Sequence, residues 1–530
     1  MKKLPVGIQT FKKILEGDYV YVDKTQYIYN LIEAGSCYFL SRPRRFGKSL
    51  LLDTISEVFK GNKELFNGLW IYDSDYAFEK YPVIRLDMSG IANKNPTALE
   101  NSLFDELNHL AGKENVEISG GGPSDLFKRL IEQLHLKYNQ KVVILIDEYD
   151  QPILDHITNI EIADANREVM RKFYGILKSM DPYLKFTFIT GVTKFAKTSI
   201  FSGLNNLLDI TMSKKYPNIC GITIEDLGEY FSSHMEYISK LEDFSQYDNI
   251  QDKILYWYDG YSWDGKTRVI NPFSLLSFFM QERFSGFWYA TGTPRFLLDL
   301  IKEKPESYTN IRNFEITEKA LDSIEIDKIA IEPLLFQTGY LTVKEIPKTM
   351  GSPVYRLEIP NFEVREAFSL HVLSALTDND EMAAWHMRED IMQALGSGNL
   401  NKVLDVLRAF FASIPYNLHV GLEAYYHSLF YTIMSLLGFD MDLEVPGSMG
   451  RIDAVIEVDD KVYVMEFKYK KCPPDADDDV KQKLFDKALD EAMGQINDRE
   501  YAAKYQGSGK TVYKAAFAFL GRGDISLRVQ

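Results

Sequence analysis

Cysteine is scarce in this chain: three residues in 530 (Cys37, Cys220 and Cys472), far apart, with no CxxC and no histidine partner at metal-ligand spacing. A disulfide framework and a zinc site are therefore not expected, and a reducing compartment fits best. No uninterrupted apolar run reaches the ~18 to 20 residues of a membrane span, and the start MKKLPVGIQTFKK lacks the apolar core of a signal peptide. The expectation is a cytoplasmic protein with no membrane partner. Positive charge is in deficit too, 60 Lys and Arg against 76 Asp and Glu, a formal net charge of −16. This argues against a general nucleic-acid coat and leaves room only for a local basic channel. Glycine (33) and proline (19) are ordinary and 45% of the residues are hydrophobic, which excludes collagen-like and disordered classes. Repeats of fixed period and low-complexity tracts are absent, and KKCPPDADDDVK (470–481) reads as an exposed loop.

What is present is a long chain of about three or four folding units. Between residues 35 and 215, short β-rich apolar runs alternate with amphipathic stretches: CYFLS then SLLLDTISEVFK, YPVIRLDMS, SDLFKRLIEQLHLKY then VVILIDEYD, REVMRKFYGILKSM then LKFTFITGV. That alternation predicts an α/β domain with a mostly parallel sheet, and VVILI and FTFIT, apolar at nearly every position, read as central strands covered on both faces. Beyond about 215, helical periodicity dominates through EDLGEYFSSHMEYISKL, NPFSLLSFFMQERF and TPRFLLDLIKEK, a helical lid. The run IAIEPLLFQTGYLTVKEIP, followed by SPVYRLEIPNFEVREAFSLHVLSAL, places a helix before two strands in a winged-helix-like order. Polar TDNDEMA (377–383) reads as an inter-domain joint, and the last ~115 residues switch to an antiparallel hairpin pattern with flanking helices. The boundaries drawn are 1–215, 216–375, 376–415 (a helical connector) and 416–530.

The strand CYFLS runs into RPRRFGKSL, whose Gly47-Lys48-Ser49 opens an amphipathic helix, the second half of a P-loop. Phosphate chemistry explains these types. Glycine lets backbone N–H groups approach the oxygens, the helix start favours anions, Lys48 neutralises the β/γ charge and the Ser49 hydroxyl binds Mg²⁺. The pattern wants glycine five residues before Gly47, where this chain has Arg42. Asp147 and Glu148, closing VVILI, supply the complementary half: Asp147 to hold Mg²⁺ and Glu148 to orient the attacking water. FTFIT ends in Thr190-Gly191-Val192-Thr193-Lys194, where Thr193 is a candidate γ-phosphate sensor or else part of a capped turn. Arg44 and Arg45 suit contact with phosphate or with a neighbouring copy in a homo-oligomer.

A second constellation lies in GRIDAVIEVDDKVYVMEFKYKK. If Asp459-Asp460 is the whole turn, Asp453 falls directly opposite Glu466, and two like charges at a cross-strand position destabilise a sheet unless a cation compensates. Alternation puts Asp453, Glu466 and Lys468 on one face and Ala454, Ile456, Met465 and Phe467 on the other. An Asp followed by Glu-x-Lys on the neighbouring strand suits metal-dependent phosphodiester hydrolysis: the carboxylates hold Mg²⁺ or Mn²⁺, and Lys468 positions water and offsets developing charge. A chance hairpin is the competing reading, and the basic run Lys468, Lys470, Lys471 speaks against it. Glu423, opening the helix LEAYYHSLFYTIMSLLG, is either a further metal carboxylate or a dipole-favoured cap. Gln495 either faces the same cleft or is exposed. Trp257, Tyr258, Tyr261 and Trp263 read as core or interface residues rather than base-stacking platforms.

The order LPVGIQTF, YVDKT, FLSRPRRFGKSL, LIDEYD, ITGVTKF, YDGYSW, NPFSLL, GRIDAVIE and VMEFKY resembles, over nearly the whole chain, bacterial proteins that join an AAA-ATPase-like domain to a PD-(D/E)XK nuclease-superfamily domain. In such proteins the loop is similarly RRFGKS. The resemblance implies a P-loop NTPase sheet and a C-terminal restriction-endonuclease-like α/β domain. It implies Lys48, Ser49, Asp147 and Glu148 for ATP and magnesium, and Asp453, Glu466 and Lys468 for the nuclease, and supplies no physiological substrate. The expectation is an ATP-regulated, metal-dependent nuclease acting on DNA. The alternative is a nucleotide-switched nucleic-acid-binding protein that does not cut, and a third reading makes the ATPase vestigial. The complete Asp453, Glu466 and Lys468 set favours cleavage.

Overall fold

The computed structural model describes residues 1–195, 200–201, 206–288, 314–321, 331–347, 351–377, 381–413, 442–447, 450–458, 460–473, 475–498, 509–521 and 524–530. The chain divides into two compact units, one of residues 1–292 and 312–363, the other of 293–311 and 364–530. The boundary at Glu363–Val364 precedes the polar 377–383 stretch. Glu363 is tied into the first unit, accepting from the Trp288 backbone N–H at 2.7 Å and the Ser274 hydroxyl at 2.8 Å.

The first unit is built on a parallel sheet of β1 (Cys37–Ser41), β2 (Val83–Asp87), β3 (Val142–Asp147), β4 (Leu184–Gly191) and β5 (Leu208–Asp209), in the order β2-β3-β4-β1-β5. Every residue of β3 is buried, which explains why VVILI is apolar without alternation. Helices Lys48–Phe59, Pro96–Lys113, Pro123–Tyr138 and Ile160–Ser179 make the crossovers. The pairings Ser41↔Gly191 and Asp87↔Asp147 align the carboxyl ends of the strands, the edge where ligands bind in such sheets.

Residues 216–288 supply the helices Ile224–Ser239, Ile250–Tyr258 and Pro272–Gln281, whose apolar faces meet in one core with Phe231, Tyr258, Leu275 and Phe278. Tyr258, Tyr261 and Trp263 are buried and Trp257 packs against the same core, in line with their reading as core or interface residues. The helix Ile331–Thr338 precedes β7 (Thr342–Glu345) and β8 (Val354–Glu358), which pair antiparallel and are joined at the other edge of β8 by β6 (Phe314–Thr317). This helix-then-hairpin order is the winged-helix-like one. The stretch TPRFLLDLIKEK lies outside the described residues.

In the second unit a mixed sheet runs β13-β12-β11-β10-β9, with β9 at Asp442–Gly447, β10 at Gly450–Val458, β11 at Lys461–Lys470, β12 at Thr511–Leu520 and β13 at Asp524–Val529. The parallel pairing of β11 with β12 requires a crossover, which the helix Asp478–Asp498 contributes to. That helix buries Ala488, Leu489, Ala492, Met493 and Ile496 against Val455, Val462, Val464, Ala516 and Ala518. Phe467, Phe517 and Phe519 occupy the opposite face, with Phe411 of the helix Leu400–Ser413 against Phe519. The predicted loop at 470–481 is shorter than expected: residues from Asp478 already belong to the helix, since three consecutive aspartates favour a helix start. Among the described residues no helix is long and apolar enough to cross a membrane.

Candidate active sites

Gly47, at φ +89°, turns the chain from the loop into the Lys48–Phe59 helix, and among the described residues no side chain caps that helix. A helix start of this kind is one that can receive an anion. Lys48 is buried, and its ammonium donates to the Arg42 and Pro43 carbonyls, both at 3.0 Å. Burial pulls its pKa down, while Asp147, Glu148 and Asp150 oppose that shift. The loop borders a cleft of about 450 Å³ lined by Arg44, Arg45, Gly47, Lys48, Ser49 and Glu148. Gly7, Ile8 and Gln9 of LPVGIQTF, with Pro272 and Phe273 of NPFSLL, are also among its lining residues.

Asp147 is buried at the end of β3, and its Oδ1 accepts from the Glu148 N–H at 3.1 Å and the Thr190 hydroxyl at 2.7 Å. Glu148 sits at φ +49°, a left-handed conformation unusual for a residue with a side chain, which turns it from the buried strand into the cleft. Burial raises its pKa against the pull of Lys48. Arg44 donates to Gln151 at 3.3 Å, and the Arg45 guanidinium lies 4.7 Å from the centroid of Phe273.

Thr193, just past β4, is engaged by Asp150. Its hydroxyl and its N–H both donate to the buried Asp150 carboxylate at 2.6 Å, and Val192 N–H adds a third donor. The threonine that reaches the acidic pair is Thr190, on β4 between β1 and β3. The sequence reading missed Asp150 and Thr190 because DEYD holds three carboxylates and TGVT two threonines, and only the folded strand ends decide that Thr190 bonds Asp147 and Thr193 bonds Asp150. The motifs LPVGIQTF and NPFSLL were visible as text, but their side chains carry no phosphate chemistry, so their place on the cleft was not legible.

At the second site, the β10–β11 ladder pairs Ala454↔Met465 through Val458↔Lys461, the register of a two-residue turn. Continued by one residue it sets Asp453 opposite Glu466. Asp453 Oδ2 accepts from the Phe467 N–H at 2.9 Å, and Lys468 Nζ stands 3.4 Å from Glu466 Oε1. Glu466 is buried, and its Oε2 has no hydrogen-bond partner among the described residues. Burial first, then the Asp453 charge, push its carboxyl up to about 7, against the pull of Lys468. A buried carboxylate oxygen without a partner beside a second carboxylate costs free energy that a cation would recover. The residues present therefore fit a divalent metal. Gln495 is half-buried on the Asp478–Asp498 helix, which covers the sheet face carrying Asp453 and Glu466, and its Oε1 is likewise without a partner among the described residues. Glu423 and the stretch LEAYYHSLFYTIMSLLG lie outside the described residues. Among the described residues no group of three or more His, Cys, Asp or Glu is placed to hold a metal.

Known proteins match this two-part plan. A family model described as a predicted AAA-ATPase covers residues 5–201, and one described as the PD-(D/E)XK nuclease superfamily covers residues 421–526. Over 524 residues the chain is 36% identical to an Azotobacter chroococcum mcd 1 protein called "Uncharacterized protein in vnfD 5'region", spanning 98% of this chain and 96% of that relative. The chain belongs to this AAA-ATPase-like and PD-(D/E)XK fusion family. The AAA-ATPase-like match takes in Lys48, Asp147 and Glu148, and the PD-(D/E)XK match takes in Asp453, Glu466 and Lys468.

The raised Glu466 carboxyl gives this fusion protein a pH signature. A folded-state value near 7 against an ordinary value of 4.5 means that, between those limits, the metal-free native state holds a proton the unfolded chain has released. The associated stability is present below about 4.5 and is lost as the pH rises to about 7. Urea midpoints of the metal-free parent should fall across that window more steeply than those of Glu466→Gln. Parallel profiles would show that Glu466 does not titrate there.

Proposed function

We propose that the protein binds and hydrolyses ATP and cleaves DNA phosphodiesters with a metal-dependent nuclease module under nucleotide control, in the cytoplasm. The observation carrying the nuclease reading is the buried Glu466 Oε2, without a hydrogen-bond partner among the described residues, opposite Asp453 and with Lys468 alongside. A bound Mg²⁺ or Mn²⁺ would neutralise phosphate charge and lower the pKa of water. The chain's own part is to hold Asp453 and Glu466 rigidly on adjacent strands, with Asp453 pinned by the Phe467 N–H, and to place the Lys468 ammonium where charge develops on the phosphate. Lys471 would draw a polyanion locally despite the net negative charge, while Lys468 stands against Glu466 and Lys470 is paired with Glu491.

In the ATPase reading Lys48, now donating to two loop carbonyls, would turn to the β/γ-phosphate oxygens, and Ser49 and Asp147 would hold the cation. Glu148 accepts a proton from the attacking water, a role that its raised pKa suits. Lys48→Ala should weaken ATP binding by at least about tenfold, about 1.4 kcal/mol. Superimposable calorimetric titrations of parent and variant would discard this site. The overall reading is tested by incubating purified protein with supercoiled plasmid and with single- and double-stranded oligonucleotides, with Mg²⁺ or Mn²⁺, with and without ATP. Metal-dependent cleavage altered by ATP supports it, and intact substrates under every condition favour the binding protein that does not cut.

A further inference from the structure

The loop between β1 and the Lys48–Phe59 helix lacks the first glycine of a P-loop, and it is gripped from outside at successive residues. Arg42 stands at the glycine position, almost fully buried and turned away from the cleft. Its Nη1 donates to the Ser41 carbonyl at 2.8 Å and the Thr211 carbonyl at 2.9 Å, and its guanidinium lies 3.9 Å from the centroid of Trp263. Pro43 rests on Gly339, where an added Cβ would come within 2.8 Å of the proline ring. The Arg44 carbonyl accepts from Trp288 Nε1 at 3.3 Å, and Phe46 meets Trp263 edge-on at 5.5 Å. Apart from the Ser41 carbonyl, these anchors come from residues 211–339, far from the loop in sequence.

A glycine-rich loop reaches its phosphate-ready shape through backbone freedom, and such freedom costs entropy when the loop is ordered. Side-chain anchors hold the same length of chain here. The carbonyls of Arg42 and Pro43, the two residues most firmly gripped, are those that hold the Lys48 ammonium. We propose that Arg42 is a positioning residue of the nucleotide site. Its buried fork, stacked on Trp263, replaces the first glycine of the loop and fixes the peptide units that aim Lys48. The inference rests on the reading that this loop binds ATP. It leads to an outcome opposite to motif repair: restoring the glycine harms the site.

The experiment is isothermal titration of ATP with Mg²⁺ into the full-length parent, Lys48→Ala, Arg42→Gly, Arg42→Lys and the double variant Arg42→Lys with Lys48→Ala, each melted beforehand without nucleotide. Arg42→Gly should lose at least about tenfold in affinity, and Arg42→Lys, which keeps the charge but neither forks nor stacks as a guanidinium does, should lose several-fold while remaining folded. Because Arg42 acts through Lys48, Arg42→Lys should cost nothing further once Lys48 is alanine, whereas general loosening of the fold would make the two losses add. Arg42→Gly binding as tightly as the parent overturns the inference, as does an additive double variant. If Arg42→Gly does not fold, parent-like affinity in folded Arg42→Lys overturns it instead. A parent that binds no ATP defeats the nucleotide reading itself, a result distinct from either.

Discussion

Asp453→Asn should abolish both metal-dependent cleavage and the thermal stabilisation that Mn²⁺ gives the parent, while leaving the metal-free protein at least as stable. The asparagine carbonyl can still accept the Phe467 N–H that Asp453 accepts at 2.9 Å, so the strand geometry survives. What is removed is one of two facing carboxylates, the second of which, Glu466, is already pushed up to about 7 by burial and by this neighbour. Without metal the substitution relieves repulsion. With metal the parent gains RT ln(1 + [L]/Kd), about 2.7 kcal/mol at a hundredfold excess over Kd, and the variant gains none. Differential scanning calorimetry of both proteins, with and without Mn²⁺, separates this from a merely structural Asp453, whose loss would lower the metal-free melting temperature and leave the metal shift intact. A Mn²⁺ shift that persists in the variant removes Asp453 from the ligand set.

Glu148→Gln should bind ATP about as tightly as the parent while hydrolysing it at least about a hundredfold more slowly. The substitution preserves shape, and it leaves Asp147 in the grip of Thr190 and of the residue 148 N–H. The left-handed backbone at this position costs the glutamine the same as the glutamate, so stability should hardly change. Only the proton-accepting charge disappears. Steady-state turnover of parent and variant at saturating ATP, alongside titrations of each, decides the point: equal turnover means that another group orients the water. Slow hydrolysis with retained binding would also yield a form arrested with ATP, in which the effect of bound nucleotide on cleavage can be measured without turnover.

Much of this protein can be read from its residues in order, because the relevant physics is local. Five apolar residues ending in Asp147-Glu148 define a buried strand with an acidic tip, since only a strand covered on both faces is apolar without alternation. The pairing that sets Asp453 opposite Glu466 follows from a two-residue turn and a period of two, and the observed ladder has that register. Gly47-Lys48-Ser49 likewise announces a helix start. Tertiary structure decided what depends on residues distant in sequence. Whether Thr190 or Thr193 meets the acidic pair turns on where β4 ends beside β3, and Thr193 is taken by Asp150. Arg42 reads as a defect in the loop until Trp263 and the Thr211 carbonyl are folded onto it. Spacing along the chain sets registers and faces, but which buried charge meets which partner is settled only by packing, through contacts that spacing does not encode.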